Sequence, residues 1–425
     1  MNDIVKEAVS APGMLDSESE LWGSVILRQM KGDSDVQAMI TVRKKMPART
    51  SNQLFSNVFA AVYIDTYWTS QGASADILAT SLAAAMGIGQ VEALQYARVS
   101  FRQWRGILCR KYPGDGGVIP SPNYFNALDI VTSQVLVLTP RDLIDHWDST
   151  VNPPKAGVNY AYARCQNLGF EGEISGIKVR MFAVPAGFTQ TASSWVQCRT
   201  RDGDQEEGNI LDRNGHPAKL TTGERGASEA FVADLPLGHV CLVATITDAD
   251  FFTKNNPLTI EQGNWNFVTW LINNGAAAWR NVDTVPKLGE TSLVFHNQDG
   301  TPEQFSFVMR CRRVPEGSKL RMYSDDPDAA FDSDMVTVVK DSQELRVSVI
   351  APPYYAGQLK LHLEGPNGRG LPSSASVEIG MLWCVPHSNS HYLQAVDLLG
   401  EVGAVPTLRS VHVPMGYFTF LGETE

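Results

Sequence analysis

The stretch Phe305-Ser306-Phe307-Val308-Met309-Arg310-Cys311-Arg312 places a large apolar or thiol side chain at every odd position and mostly polar side chains between them. A period of two is the pattern of a β-strand that buries one face and exposes the other. The same alternation recurs at Leu345, Val347 and Val349, and again over residues 359–364. The C-terminal third therefore predicts antiparallel strands.

Strand patterns begin near residue 125 and continue to the C-terminus, separated by turns rich in Pro and Gly. The clearest earlier strands are predicted at 130–138, 158–164, 177–183, 239–246 and 279–285. Residues 265–271 predict a short helix, and the polar run 199–229 predicts a surface loop. Strand patterns extend over about 300 residues, which is longer than one sandwich domain usually is. Two antiparallel β-sandwiches are therefore predicted.

The first part of the chain has helical periodicity instead. Apolar residues Leu94, Ala97, Phe101, Trp104 and Leu108 recur at three- and four-residue steps and predict a helix ending near residue 106 or 110. Residues 111–124, with several Pro and Gly, predict a loop or linker. The fold class is therefore mainly β: a helical N-terminal domain with its linker (1–124), an Ig-like sandwich (125–286) and a C-terminal sandwich (287–425).

The run Asn152-Pro153-Pro154-Lys155-Ala156-Gly157-Val158-Asn159-Tyr160-Ala161-Tyr162-Ala163-Arg164-Cys165-Gln166-Asn167-Leu168-Gly169 resembles the opening of Ig-like β-sandwich modules of the CARDB type. Such modules occur in bacterial surface and secreted multidomain proteins. The strand pattern at 177–183 and the sequence Ala278-Trp279-Arg280-Asn281 also look like that family. The resemblance covers about 142–285 and implies an Ig-like or jelly-roll-like sandwich; such folds carry many unrelated functions.

Charge and cysteine content restrict the function classes. The chain has 35 Lys and Arg against 46 Asp and Glu, and this acidic balance makes nucleic acid an unlikely partner. The net charge is +1 through Asp115 and −12 beyond it. Six widely separated cysteines form no CxxC pattern and predict buried free thiols, with disulfides as the alternative.

The N-terminal sequence Met-Asn-Asp-Ile-Val-Lys-Glu shows no signal-peptide pattern, and no run of about 18 apolar residues occurs. The expectation is a protein that is cytoplasmic when made. Later release or export without a cleaved signal peptide is compatible with that expectation.

Catalytic and cofactor motifs such as GxSxG, HExxH and Walker A are absent from the sequence, so we predict no enzyme, no cofactor and no metal site. His387 and His391 have a spacing compatible with zinc on a helix, but the intervening Ser-Asn-Ser predicts a loop and no third ligand is evident. Five carboxylates in residues 325–334 suit either calcium or, as we predict, a solvated acidic loop.

Two groups of side chains are the candidate partner-binding residues. Arg98, Arg102 and Arg105 would form a basic stripe on a helix, suited to an acidic surface of a neighbouring subunit or to local ion pairs. Tyr354 and Tyr355 follow two prolines and could expose rings that stack on a sugar, whereas most tryptophans should be core.

The sequence thus predicts a non-enzymatic structural or binding protein whose sandwiches mediate self-assembly or partner binding. Its partner would be the protein itself, with a glycan, receptor or membrane as further possibilities. The alternative is a secreted or injected toxin with a helical membrane-acting segment and sandwiches that bind a receptor or glycan. A third hypothesis is an enzyme whose site is assembled between domains.

Overall fold

A computed structural model describes most of the chain. The described residues are isolated positions in 22–32, then 35–67 without 49, 75–100, 104–149 without 135–136, 156–248 without 170–172, 186, 189–191, 193–194 and 237, 255–259, 266–284, and 289–422 without 341–342 and 400–408. Arg102 lies outside these residues. Among the described residues, no helix combines the length and apolar character needed to cross a bilayer.

Four helices precede the first strand, and three more are distributed among the strands. They are α1 (Asp35–Lys45), α2 (Asn52–Tyr67), α3 (Ala75–Met86), α4 (Gln90–Ser100), α5 (Pro140–Asp145), α6 (Asn266–Asn273) and α7 (Tyr392–Leu398). The first four bury a common apolar core that includes Phe55, Phe59 and Leu82. The periodicity of the N-terminal part therefore predicted helices correctly.

The predicted end of α4 was wrong. The helix ends at Ser100, whereas Trp104 donates its backbone N–H to Gly117 O at 2.6 Å and Ile107–Leu108 is already a strand. The apolar periodicity continues because Trp104 and Leu108 are buried in a different core, that of the first sheet. Spacing alone does not reveal a change of packing partner.

The strands are numbered in chain order. They are β1 (Ile107–Leu108), β2 (Ile130–Ser133), β3 (Gly157–Asn167), β4 (Glu173–Ile174), β5 (Lys178–Pro185), β6 (Gly187–Phe188), β7 (Val196–Gln197), β8 (Arg199–Thr200), β9 (Gly208–Leu211), β10 (Leu220–Thr221), β11 (Arg225–Ser228), β12 (Phe231–Leu235), β13 (Gly238–Thr247), β14 (Ala277–Thr284), β15 (Gly289–His296), β16 (Glu303–Arg312), β17 (Lys319–Ser324), β18 (Phe331–Asp332), β19 (Val336–Thr337), β20 (Glu344–Ala351), β21 (Ala356–Glu364), β22 (Ser376–Pro386) and β23 (Ser410–Leu421).

The chain is mainly β, and nearly all strand pairs are antiparallel. The first sheet has the order β14-β13-β5-β9-β11-β3-β12-β8, with short strands added to β3 and β5. The second has the order β18-β17-β21-β15-β6, and the third β20-β16-β22-β23. The alternating stretch that predicted the fold is β16, which lies inside the third sheet between β20 and β22.

The prediction of a surface loop at 199–229 was wrong in part. The run contains β8, β9, β10 and β11, which pair with other strands of the first part of the chain. Ile210 and Leu220 are buried there, while most of the charged residues lie in the connections between the strands. Polar turn residues outnumber the few buried ones, so composition obscured the short strands.

Residues 111–124 are irregular, as predicted, but the whole segment 104–124 packs against the first sheet instead of forming a free linker. Trp104, Ile107 and Ile119 belong to its apolar core. The Lys111 ammonium is fully enclosed and donates to Asn274 O at 2.9 Å. This segment is thus part of the β structure.

One apolar core extends across residue 286, where the sequence predicted a domain boundary. It joins the inner faces of the second and third sheets, including Phe295 and Phe307, to Phe182 of the first sheet. Strand β6 also pairs in parallel with β15, which places Phe188 against the later sheets. The domain division at 286 stays a prediction, and the apolar core includes residues from both sides of it.

Candidate metal centre

The loop between β15 and β16 is held in shape by one asparagine. Asn297 Nδ2 donates to Thr301 O at 2.8 Å and to Pro352 O at 2.8 Å, tying the loop to the end of β20. Its Oδ1 accepts the backbone N–H of Asp299 at 3.0 Å. Asp299 is therefore fixed with its carboxylate enclosed, only 4% of the residue being exposed.

Glu303 is the first residue of β16, and its carboxylate is buried among polar groups. Its Oε2 accepts from Trp383 Nε1 at 2.7 Å and from Asn389 Nδ2 at 3.0 Å. Its Oε1 accepts from Thr301 Oγ1 at 2.9 Å. These hydrogen bonds replace part of the hydration that the carboxylate loses on burial.

His391 comes from the turn that joins β22 to α7. Its backbone N–H is held by Asn389 Oδ1 at 2.8 Å, and its Nδ1 lies 3.2 Å from Gln394 Oε1. Its Nε2 lies 2.6 Å from Asp299 Oδ2. The ring is partly open to solvent, since 21% of the side chain is exposed.

Ligand atoms of Asp299, Glu303 and His391 all lie within 4.8 Å of one another. Two carboxylates and one imidazole are ligand types used by Zn²⁺ and other first-row divalent cations. Three sequence segments contribute, and only the pairing of β16 with β22 brings them together. We call this group the Asp299–Glu303–His391 cluster.

The two histidines lie in a turn, as predicted, and they have different surroundings. His391 does have carboxylate neighbours, whereas His387 is exposed and packs against the Tyr392 ring, with centroids 4.9 Å apart. The sequence beside the two histidines offers no further metal ligand. The actual neighbours are distant in sequence, and no local signal identified them.

Two of the five carboxylates in the acidic segment at 325–334 lie next to basic side chains. Asp325 Oδ2 accepts from Lys360 Nζ at 2.8 Å, and Asp332 Oδ1 accepts from Arg321 Nε at 2.9 Å. The Arg321 guanidinium lowers the pKa of Asp332, and Lys360 lowers that of Asp325. The choice between a solvated acidic loop and a calcium site in this segment stays a prediction.

The predicted basic stripe is not one continuous helix face. Arg98 lies in the last turn of α4 and is half-buried. Arg105 lies beyond the helix, is buried, and donates to Leu168 O at 3.2 Å. Arg102 lies outside the described residues. Partner binding by these arginines stays a prediction, but Arg105 would have to leave its packing position to take part.

The two adjacent tyrosines have opposite environments. Tyr354 is 72% exposed, whereas Tyr355 is buried, with its ring centroid 5.4 Å from that of Phe295. Tyr354 adopts a positive φ of 53° and donates its backbone N–H to Asp299 O at 2.9 Å. The exposed aromatic ring predicted from the sequence is therefore Tyr354 alone, and its backbone contacts the Asp299–Glu303–His391 cluster. Binding of a partner by either tyrosine stays a prediction.

All six cysteines are free and buried, which confirms the first of the two alternatives for them. Burial raises the pKa of the Cys198 thiol to about 12 and that of Cys311 to about 11. A nucleophilic thiol needs a lowered pKa, so these cysteines have the environment of packing residues.

Comparisons with known proteins leave the family open. No protein-family model matches the chain, and no curated protein matches it. The secreted serine protease VesC from Vibrio cholerae is 10% identical with a TM-score of 0.19, over 52% of this chain and 46% of that one, so the match spans about half of the protease. The Streptococcus agalactiae AgI/II polypeptide BspA C-terminal domain is 8% identical with a TM-score of 0.13, over 69% and 99%.

A third solved structure is the collagen-binding domain of the Erysipelothrix rhusiopathiae surface protein RspB. It is 8% identical with a TM-score of 0.12, over 70% of this chain and 98% of that one. Scores this low carry no argument about fold or activity. The functional argument therefore depends on the residues themselves.

Proposed function

We propose that this chain is a non-enzymatic structural or binding protein that associates with further copies of itself. Its second and third sheets would act as a β-sandwich, the first sheet as an Ig-like unit, and α1 to α4 as a separate helical unit. The observation that carries the proposal is the exposed edge strand β20. A strand edge with free backbone groups is a template for pairing with another chain.

Strand β20 is an edge of the third sheet and pairs only with β16 among the described strands. Its residues alternate between buried and exposed, with Ile350 on the exposed side at 66%. Large exposed apolar side chains also precede and follow the strand: Met335, Val339 and Tyr354. Exposed apolar groups near a free strand edge indicate a contact surface.

The sequence of β20 favours pairing with a second copy. The strand contains no Lys or Pro, which are residues that commonly block edge-to-edge association. Glu344 and Arg346 are both exposed and lie two residues apart. Charges of both signs on the exposed side of the strand allow attraction between two copies.

The test is the mass of the full chain in solution by light scattering, with negative-stain microscopy of the same sample. We expect an oligomer, and we expect Ile350→Lys to shift it toward monomer because a charge on the edge opposes strand pairing. Val91→Lys is the matched control, since Val91 is equally exposed but lies on α4.

A wild-type monomer at high micromolar concentration would overturn the proposal. If the Ile350→Lys and Val91→Lys variants form oligomers to the same extent, the contact between copies does not involve β20. Dye release from liposomes tests the toxin alternative, which no observation on the described residues favours over self-association.

A further inference from the structure

We propose that the Asp299–Glu303–His391 cluster binds one divalent transition-metal cation of the zinc class. Nothing in the proposed self-association requires this site. The cluster joins the β15–β16 loop, the first residue of β16 and the turn before α7. A cation there would fix the Asn297–Thr301 loop, whose Asp299 O also accepts the backbone N–H of Tyr354.

The charge balance of the cluster favours a cation. Asp299 and Glu303 are 4% and 1% exposed, and ligand oxygens of the two carboxylates lie within 4.8 Å of each other. Two like charges in a buried site repel, and each also loses hydration on burial. His391 supplies at most one positive charge, whereas a divalent metal neutralises both carboxylates.

The hydrogen bonds of His391 make its Nε2 available as a ligand. Gln394 Oε1 lies 3.2 Å from Nδ1 and can accept a proton from it, which leaves Nε2, the nitrogen that faces Asp299, as the ligand atom when a metal replaces a proton there. In the neutral ring the Nε2 lone pair then points into the cluster. Fixing the tautomer through the second ring nitrogen is the usual arrangement of metal-binding histidines.

Asp299 Oδ2 gives independent support. This atom is buried and accepts no hydrogen bond from any described residue, although Nε2 of His391 is 2.6 Å away. The contact between these two atoms has the length of an ion pair that forms when His391 is protonated. A buried carboxylate oxygen without a hydrogen-bond donor needs another source of compensation for its lost hydration, and a cation that replaces the His391 proton would supply it.

The surroundings of Glu303 match those of a ligating carboxylate. Trp383 Nε1 and Asn389 Nδ2 both donate to Oε2 and so fix the orientation of the group. Hydrogen bonds of this kind orient the side chains that bind the metal directly. Both donors come from β22 or the turn after it, so the pairing of β16 with β22 holds the site rigid.

The ligand set also selects the metal. One imidazole nitrogen with two carboxylates suits zinc or manganese, whereas calcium takes six to eight oxygen ligands. Three protein ligands leave coordination positions for water, and the partly exposed His391 ring marks the side from which water would enter.

The experiment is calorimetric titration of the untagged, chelator-treated full chain with Zn²⁺, and then with Mn²⁺ and Ca²⁺. We expect one Zn²⁺ per chain, with Ca²⁺ binding more weakly. His391→Ala should abolish the binding, because it removes a ligand from a partly exposed position with little effect on the fold. Asn389→Ala should weaken it by about 10- to 100-fold, the usual cost of losing a residue that orients a ligand.

His387→Ala is the matched control, since it removes a histidine of the same turn that lies outside the cluster. It should leave zinc binding unchanged. Circular dichroism of each variant verifies folding. Absence of Zn²⁺ binding by the folded wild-type chain would overturn the proposal, and so would binding that survives His391→Ala or disappears in His387→Ala. The oligomeric state is a separate measurement, so either proposal can fail without the other.

Discussion

Arg164 Nε lies 3.2 Å from Asp129 Oδ1, and both side chains are completely buried. Arg110 adds a second guanidinium, with Nη2 at 2.9 Å from the same oxygen. The Arg110 guanidinium also stacks on the Trp147 ring at 4.2 Å from its centroid. The carboxylate joins the segment after Trp104 to strand β3, and the two guanidiniums in turn donate to the carbonyls of His146 and Trp147 in the turn after α5.

Asp129→Asn should strongly destabilise the protein. Removing one partner of a buried ion pair leaves an uncompensated charge, at a typical cost of about 3–5 kcal/mol. The free energy of unfolding in urea measures the effect. Asp145→Asn is the control, because Asp145 pairs with Arg213 at the surface, and exposed pairs contribute less than about 1 kcal/mol. Equal losses in the two variants would contradict this account.

Gly275→Ala should destabilise the contact between the segment at 104–124 and the first sheet. A Cβ on Gly275 would come within 2.1 Å of Trp104 Cγ, so the buried indole would have to move. Overpacking of this kind costs about 1–3 kcal/mol.

Thermal unfolding compares Gly275→Ala with Gly89→Ala, which meets no atom within 4 Å. We expect a lower melting temperature for the first variant only. If both variants melt at the wild-type temperature, Trp104 does not have the packing described here.

Phe188→Ala tests whether the first sheet and the later sheets unfold together. The Phe188 ring packs edge-on against Phe418, with centroids 5.0 Å apart, and lies 6.1 Å from Phe307. Truncating a buried Phe costs about 3–5 kcal/mol. With a shared core, tryptophan fluorescence and far-UV dichroism should show one common transition shifted to lower denaturant. Two separate wild-type transitions would indicate independent units divided near residue 286.

Thiol reactivity checks the burial of the cysteines. At pH 8 the six thiols should react slowly with a chromogenic disulfide reagent, and all six should react at once in denaturant. A thiol that reacts fast in the native protein would contradict its buried position.

The same pKa values predict a pH dependence of stability. The folded-state pKa of Cys311 is about 11 and that of Cys198 about 12, both above the ordinary value of 9.0. Above about pH 9 the unfolded chain therefore loses these protons while the folded protein keeps them. The contribution of these thiols to stability is complete below pH 9 and falls as the pH rises toward 11 and 12. Urea unfolding between pH 7 and pH 10 should show this decline.

The sequence by itself determined the kinds of elements and the faces that they bury. Alternation at 305–312 predicted β16, and the helical period of the N-terminal part predicted helices, because side-chain periodicity follows directly from backbone geometry. The burial of the six thiols was also predicted, since several of them lie in apolar, strand-like runs.

Only the tertiary structure decided which segments meet. Trp104 continues a helical period in sequence yet packs on Gly275, and His391 meets Asp299 and Glu303 instead of His387. Strand pairing brings distant residues together, and the free energy of a pairing depends on the whole core and not on neighbours along the chain. Local patterns therefore specified the strands, while the cluster and the continuous core arose from their packing.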